Sequence, residues 1–210
     1  MTECRATVYV VDDDESILRA MTRLFRSAGF LVRTFKSAGE FLEAPYTDGL
    51  ACLLLDLTLP GMSGAELQQE LLQRGGDLPI IILTGHGDVP AAVRAMKRGA
   101  IDFLSKPVDN EQLLDSVRQA IADFAIRHRQ SLEIREFEMR VQSLTSRERE
   151  IMLLVITGQL NKQIAIRLGI TETTVKVHRG RVMEKTGVAS AAELVRLCER
   201  AGYRPTENCG

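Results

Sequence analysis

Short, continuous apolar runs recur along the first half of the chain, and each leads into a polar side chain. The runs are 8–11, 52–55, 79–83 and, more weakly, 100–104. The polar side chains that follow them are Asp12 and Asp13, Asp56, Thr84 and Lys106. Apolar runs bounded by turn residues are typical of strands buried on both faces of a parallel sheet. Because an open α/β sheet places its ligand site beyond the carboxyl ends of its strands, the sequence predicts one pocket with three carboxylates, a hydroxyl and an ammonium group.

Amphipathic helical segments separate these predicted strands. Residues 15–28 place apolar side chains on one face and stop at Gly29, and residues 31–35 form a further predicted strand. Capping-box patterns at 37–40 and 63–66 begin the next two helices. Five strands that alternate with five helices predict a doubly wound α/β fold around a parallel sheet.

Charge is unevenly distributed along the chain. Residues 1–125 carry 12 basic and 18 acidic side chains, a net charge of −6, whereas residues 126–210 carry 15 and 10, a net charge of +5. This asymmetry favours two domains, one acidic and regulatory or catalytic, the other basic and in contact with a polyanion.

The cysteines and the hydropathy of the chain indicate where the protein works. Cys4, Cys52, Cys198 and Cys209 lack metal-ligand spacing, which argues against a zinc site or a disulfide framework and favours a reducing cytoplasm. No apolar stretch approaches the ~18 residues of a membrane span, and the N-terminus lacks a signal-peptide pattern. We therefore expect a cytoplasmic protein without a membrane partner.

The predicted pocket has the composition of a magnesium-dependent phosphoryl-transfer site. Clustered carboxylates repel one another unless a proton or a cation lies between them, and magnesium prefers carboxylates, waters and phosphate oxygens. A carboxylate can attack a phosphoryl group while Lys106 and Thr84 bind the phosphoryl oxygens. Alternatively, the aspartates cap the following helices and the lysine is solvated. Their recurrence at successive strand ends favours the functional interpretation.

Four motifs resemble those of bacterial response-regulator receiver domains. They are Val-Val-Asp-Asp at 10–13, Leu-Leu-Asp-Leu-Thr-Leu-Pro-Gly at 54–61, Thr-Gly-His-Gly-Asp at 84–88 and Phe-Leu-Ser-Lys-Pro at 103–107. The resemblance covers residues 5–124 and implies a flavodoxin-like (βα)5 fold. It also implies that Asp56 is the phosphoacceptor, loaded from a sensor histidine kinase.

The same resemblance implies a magnesium site. Asp13 and Asp56 would bind Mg²⁺ directly, Asp12 would bind it through water, and the backbone carbonyl of Thr58 would be a further ligand.

The remaining receiver motifs imply a switch. Thr84 and Lys106 would hold the phosphoryl group, and Phe103 would be the aromatic residue that swings inward on activation. Plain core packing is the alternative role for Phe103. Val108 stands where relatives often have phenylalanine, so the local packing of this face departs from the pattern.

The segment 125–143 predicts a helical linker. No proline or glycine occurs between Pro107 and Gly158, so the fifth helix can continue to about Gln142. The linker is highly charged, which favours a solvated surface. A dimeric coiled coil is the alternative, but it needs about three to four sustained heptads, which the segment lacks.

Residues 144–204 predict a small all-α domain of four helices. The two middle helices, 161–168 and 171–185, flank a turn at Gly169, an arrangement typical of a helix-turn-helix. Residues 161–185 carry six basic and two acidic side chains, which favours a nucleic-acid-binding surface over a merely solvated bundle.

Three further motifs resemble the LuxR-type output domain. They are Leu-Thr-Ser-Arg-Glu-Arg-Glu at 144–150, Asn-Lys-Gln-Ile-Ala at 161–165 and Thr-Val-Lys-Val-His-Arg at 174–179. The resemblance implies that Glu148 is a structural acid and that Lys176 and Val177 face base edges in the major groove. The DNA-binding residues that it implies are Lys162, Thr173, Lys176, Val177, Arg179 and Arg181. Gly180 departs from relatives, which often present a longer side chain there.

Together the two resemblances imply a FixJ-type response regulator that phosphorylation switches. We expect a transcription regulator, an activator, that dimerises through its receiver, binds double-stranded promoter DNA and contacts RNA polymerase. It would catalyse only its own phosphorylation and dephosphorylation. A magnesium-dependent phosphohydrolase is one alternative, but the chain has Thr58, not a second aspartate, two residues after Asp56. A constitutive DNA-binding protein with a non-switching receiver is the other.

Overall fold

The structure is a computed structural model that describes residues 6–45, 49–85 and 89–204. The chain divides into two compact units, residues 1–127 and residues 128–210. Residues 86–88 of the third receiver motif, together with Cys4 and Cys209, lie outside the described residues.

The first unit contains a five-stranded parallel sheet flanked by helices. Its strands are β1 (Thr7–Val11), β2 (Leu31–Phe35), β3 (Ala51–Asp56), β4 (Ile80–Thr84) and β5 (Asp102–Ser105). Its helices are α1 (Glu15–Ser27), α2 (Ala38–Glu43), α3 (Gly64–Gln73), α4 (Val89–Lys97) and α5 (Asn110–Gln142), the last of which continues into the second unit. The strand order is β2-β1-β3-β4-β5, which confirms the predicted doubly wound α/β fold.

The central strands β1, β3 and β4 are buried on both faces, as the continuous apolar runs predict. On β1, Tyr9 and Val11 belong to a core that also contains side chains of α2, α3 and α4. Val8 and Val10 point the other way, into a core with α1 and α5. Because strand side chains alternate between faces, a strand that is covered on both sides is apolar along most of its length.

Local sequence signals place most element boundaries. The predicted capping box of α3 is formed by Ser63 and Glu66, with the Ser63 amide 2.8 Å from the Glu66 carboxylate. Strand β5 is the exception, because it begins two residues later than the run at 100–104 predicts. The amide of Ala100 donates instead to the carbonyl oxygen of Ala95 (3.1 Å) and so closes the end of α4.

The second unit is helical. Its helices after α5 are α6 (Ser146–Ile156), α7 (Asn161–Leu168), α8 (Glu172–Thr186) and α9 (Ala191–Arg200). The capping box of α6 is formed by Thr145 and Glu148, and Gly169, with a φ of 62°, ends α7 in the left-handed conformation that glycine favours. The predicted four-helix domain with a helix-turn-helix is confirmed.

The last turns of α5 are part of the core of this unit. Phe137 and Val141 are 2% and 0% exposed and pack with α6–α9. The charged sequence of 125–143 predicts a solvated surface, and for these two residues that prediction is wrong. Among the described helices, none has the combination of length and apolar character needed to cross a lipid bilayer.

Candidate functional site

Carboxylates from two adjacent strands meet at the carboxyl edge of the sheet. Asp12 and Asp13 follow the last residue of β1, and Asp56 is the last residue of β3, which pairs with β1. One carboxylate oxygen from each of the three lies within 4.8 Å of the others. Asp12 and Asp56 are buried, whereas Asp13 is exposed. The structure therefore brings together the three acids that the strand ends predict.

Lys106 bridges two of these carboxylates. Its Nζ lies 2.5 Å from Oδ2 of Asp12 and 2.6 Å from Oδ2 of Asp56. Burial on its own lowers the pKa of Lys106, but the hydrogen bonds to Asp12 and Asp56 outweigh it, so the pKa is raised and the ammonium stays charged. Burial also raises the pKa of Asp12, although the hydrogen bond from Lys106 acts in the opposite direction. The ammonium thus offsets part of the repulsion among the acids.

Backbone amides orient the same two carboxylates. The amide of Asp14 donates to Oδ1 of Asp12, and the amide of Thr58 donates to Oδ1 of Asp56, each at 2.9 Å. Asp12 and Asp56 therefore each have one oxygen held by the backbone and the other by Lys106. The expected role of the Thr58 carbonyl as a metal ligand stays a prediction.

Thr84 and Phe103 lie on the strands beside the acids. Thr84 is the last residue of β4, one position beyond the partner of Asp56, and is 6% exposed. Its carbonyl oxygen accepts a hydrogen bond from the amide of Lys106 (2.7 Å). The peptide bond between Lys106 and Pro107 is cis. Phe103 on β5 is half-buried and packs against the core on the α2–α4 face. Its inward movement on activation stays a prediction.

Gly64 is a residue of the site that the sequence analysis missed. It is the first residue of α3, and its amide donates to the carbonyl oxygen of Leu57 (3.1 Å). A Cβ atom at this position would lie only 2.1 Å from the carbonyl oxygen of Asp56. Only glycine lets α3 approach the end of β3 this closely. A glycine inside a capping box, where most other residues favour the helix more, is the signal that could have identified it.

The donor set fits magnesium. All three clustered donors are carboxylate oxygens, which magnesium prefers, whereas zinc sites in proteins use histidine and cysteine extensively. Two of the donors are held in fixed orientations by the backbone amides described above, so that little ordering is needed for a cation to bind.

One face of α8 presents its polar and basic side chains outward. Val175 and Val182, one heptad apart, are buried in the core of the second unit. The exposed residues opposite them have helical spacing, as expected of one face. They are Thr173, Lys176, Val177, Gly180, Arg181 and Glu184. Lys162 is exposed near the start of α7. The structure therefore places five of the six predicted DNA-binding residues on accessible surface.

Arg179 differs from these five because it is half-buried. Its Nη1 donates to Oδ1 of Asn161 (2.9 Å), so it ties α8 to the first residue of α7. Arg179 therefore links the two helices of the helix-turn-helix.

Glu148 holds α6 and α8 together, in accord with the structural role that the resemblance implies. Its carboxylate accepts hydrogen bonds from Nζ of Lys185 (2.6 Å) and from the amide of Thr145 (2.9 Å). The hydrogen bond from Lys185, followed by that from Thr145, lowers the pKa of Glu148 to about 2. The ammonium group of Lys185 is therefore paired with an acid of the same unit.

Each of the two compact units contains a segment that matches a known protein family. Residues 8–118 match the response regulator receiver domain family, and residues 142–198 match the luxR family of bacterial regulatory proteins. Receiver domains generally bind Mg²⁺ at their acidic pocket, and a receiver joined to a DNA-binding domain implies a histidine kinase and DNA as partners.

Full-length relatives extend the match over nearly the whole chain. Nodulation protein W of Bradyrhizobium diazoefficiens is 46% identical over 198 residues, which are 94% of this chain and 87% of that protein. The transcriptional regulatory protein FixJ of Azorhizobium caulinodans is 41% identical over 201 residues, which are 96% of this chain and 95% of that protein. The solved structure of the response regulator StyR is 47% identical, has a TM-score of 0.82 and covers 93% of this chain and 99% of its own. The chain therefore belongs to the two-component response regulators of the FixJ type, transcriptional regulators that join a receiver domain to a LuxR-type DNA-binding domain and are not classical enzymes.

Proposed function

We propose that Asp56 accepts the phosphoryl group from a sensor histidine kinase and that phosphorylation then controls binding to promoter DNA. The observation that carries this proposal is the position of Asp56. It is held by Thr58 and Lys106, and its strand pairs with the strand that ends in Thr84. A phosphoryl group on Asp56 would therefore lie beside the ammonium of Lys106, with Thr84 on the neighbouring strand. Asp13, which is exposed, lacks this setting.

The transfer forms one bond and breaks one bond. A carboxylate oxygen of Asp56 attacks the phosphorus of a phosphohistidine whose other ring nitrogen carries a proton, the phosphorus–nitrogen bond breaks, and the bonding electron pair stays with the ring, which leaves as neutral imidazole. Lys106 and Thr84 orient and stabilise the phosphoryl oxygens.

The residues that would hold Mg²⁺ are Asp12, Asp13, Asp56 and, through its carbonyl oxygen, Thr58. When bound there, the cation neutralises negative charge on the phosphoryl oxygens. The buried Asp12 contributes negative charge to the pocket, and Lys106 keeps its ammonium between Asp12 and Asp56.

Phosphorylation would change the surface around Val89–Leu104 and favour a homodimer. In this proposal Thr84 moves toward the phosphoryl group and Phe103 swings into the space that it leaves, so the bound group shifts the equilibrium through contacts made in one state only. Exposed apolar side chains on α4, with Val93 48% and Met96 45% exposed, support an interface on this surface.

The exposed face of α8 would enter the major groove. Lys176 and Val177 would contact base edges, and Thr173 would lie beside them near the start of the helix. Lys162, Arg179 and Arg181 would contact phosphates. The exposure of one face of α8, opposite the buried Val175 and Val182, supports this arrangement.

The domain bounds and the cellular location of the protein are part of the same proposal. We propose that residues 5–124 form the receiver, 125–143 the helical linker and 144–204 the DNA-binding domain. The protein would act in the cytoplasm, where promoter DNA and RNA polymerase, its expected partner in activation, are present.

Chemical trapping of the phosphorylated residue tests the proposal. The full-length protein is incubated with acetyl phosphate and Mg²⁺, acyl phosphates are reduced with borohydride, and peptide mass spectrometry locates the product. We expect the product at Asp56, none in Asp56→Asn, and normal labelling in Asp77→Asn, a control at an exposed aspartate of the same unit. Full labelling of Asp56→Asn, or a product at Asp12 or Asp13, would overturn the assignment.

A further inference from the structure

The end of the proposed recognition helix α8 is held by a side chain from outside the helix-turn-helix. The last four carbonyl groups of an α-helix lack partners within the helix. At α8 the amide of Gly187 donates to the carbonyl oxygens of Met183 (2.9 Å) and Glu184 (3.2 Å), and the amide of Val188 donates to Met183 (3.2 Å). The carbonyl oxygen of Thr186 instead accepts a hydrogen bond from Nη1 of Arg140 on α5, at 3.4 Å.

Gly187 makes room for that guanidinium. Its φ of 72° is the left-handed conformation that ends many helices. A Cβ atom at this position would lie 2.7 Å from Nη1 of Arg140, so the guanidinium lies directly against the bare Cα. Nη2 of Arg140 is 3.5 Å from the carboxylate of Glu136, one turn earlier on α5. The cation is therefore placed at the negative end of the α8 dipole, where it is favourable.

The last turns of α5 are a fixed base for Arg140. Phe137 is buried, and its ring meets that of Tyr203 edge-to-face at 6.4 Å. The carboxylate of Glu133 reaches Arg196 (3.5 Å) and Arg200 (3.3 Å) on α9. Arg140 thus projects toward α8 from a segment that is packed and ion-paired within the same unit.

We propose that Arg140 is a positioning residue for the recognition helix: it holds the C-terminal turn of α8 and so sets the angle at which Lys176, Val177 and Arg181 meet DNA. This inference rests on the proposed role of α8 in DNA binding.

Hydrogen exchange in the full-length protein tests the contact without DNA. In Arg140→Ala we expect the backbone amides of residues 183–188 to exchange about fivefold faster, whereas the exchange rates of α7 should not change. The reason is that loss of a charge-assisted hydrogen bond at a helix end lowers the local protection against exchange by roughly this factor. Arg140→Lys, which keeps a donor and the charge, should restore most of the protection. Arg135→Ala is the matched control, since Arg135, like Arg140, is an exposed arginine on α5, and the variant removes the same charge. Equal exchange in Arg140→Ala and Arg135→Ala would overturn the proposal.

Measurements of DNA affinity distinguish a positioning role of Arg140 from a direct contact between Arg140 and DNA. After treatment of each variant with acetyl phosphate and Mg²⁺, affinities are measured for the best duplex selected from a random-sequence pool and for a scrambled duplex, at several salt concentrations. Arg140→Ala should lower the ratio of specific to scrambled affinity about fivefold and leave the salt dependence unchanged, and Arg140→Lys should recover most of the ratio. A salt slope reduced by about one, with both duplexes weakened alike, would make Arg140 a phosphate contact and contradict positioning. Failure of the wild type to select any duplex would contradict the DNA-binding function itself, and the exchange result would still decide whether Arg140 holds α8.

Discussion

Replacement of Glu148 by glutamine should remove a pH-dependent part of the stability of the DNA-binding domain. The carboxylate is buried, with 3% of the side chain exposed, and it accepts hydrogen bonds from Lys185 and Thr145. These bonds lower its pKa from 4.5 to about 2. Glutamine keeps the shape and an oxygen acceptor but cannot carry the charge that Lys185 faces.

The magnitude follows from the linkage of proton binding to folding. A group whose pKa is lower in the folded state stabilises the fold above its unfolded-state pKa, and the contribution is lost as the pH falls through the folded-state pKa. A change from 4.5 to about 2 corresponds to about 3 kcal/mol at neutral pH. This is an upper value, because the Lys185 side chain is 36% exposed and water screens the pair. We therefore expect Glu148→Gln to cost about 2–3 kcal/mol at pH 7 and progressively less between about pH 5 and pH 2.

Urea titrations followed by hydrogen exchange in peptides of α6 and α8 measure this difference within the full-length protein. Glu150→Gln is the control on the same helix. Its carboxylate pairs with Arg147 at 2.6 Å but is 49% exposed, so the change should be below about 1 kcal/mol. A difference between the wild type and Glu148→Gln that stays constant from pH 7 to pH 3 would refute the linkage argument.

Four further substitutions test the receiver and the DNA surface. Gly64→Ala would place a methyl group 2.1 Å from the carbonyl oxygen of Asp56, so we expect a loss of about 1–3 kcal/mol in thermal unfolding and slower phosphorylation; unchanged values would show that α3 moves aside freely. Lys106→Met removes the cation between two carboxylates and should tighten Mg²⁺ binding about tenfold in calorimetry while phosphorylation is impaired, whereas weaker Mg²⁺ binding would contradict the charge argument. Lys176→Ala should relax base discrimination at a cost of about 1–3 kcal/mol on the best site, whereas Arg181→Ala should weaken all sequences alike and reduce the salt slope by about one. Uniform losses in both variants would mean that Lys176 reads no base.

The fold could be predicted from the sequence because its signals are local. Apolar runs of strand length, capping boxes and glycine stops each act over a few residues, and α7 (Asn161–Leu168) has the predicted bounds. The acidic pocket was predictable for a related reason. Once the strands are parallel, side chains at their carboxyl ends must converge, so Asp12 and Asp56 meet although 44 positions separate them.

What could not be predicted depends on contacts between distant segments. Phe137 and Val141 lie in a highly charged stretch, and their burial becomes visible only when α6–α9 pack against α5. Lys185 is one of the six basic residues of 161–185 that favour a nucleic-acid-binding surface, but it pairs with Glu148, 37 positions away. The hydrogen bond of Arg140 to the carbonyl of Thr186 spans 46 positions. The spacing of residues within one helix cannot predict such contacts between distant segments.

The central claim is that phosphorylation of Asp56 controls DNA binding. The most direct test compares the affinity of the full-length protein for its selected duplex before and after treatment with acetyl phosphate and Mg²⁺, in the wild type and in Asp56→Asn. Sedimentation of the same samples gives the dimer fraction. We expect the treated wild type to bind the duplex more tightly and to contain more dimer, and Asp56→Asn to show neither change. Equal affinity and equal dimer content in the treated and untreated wild type, with phosphorylation verified by mass, would contradict the claim and make the protein a constitutive DNA-binding regulator.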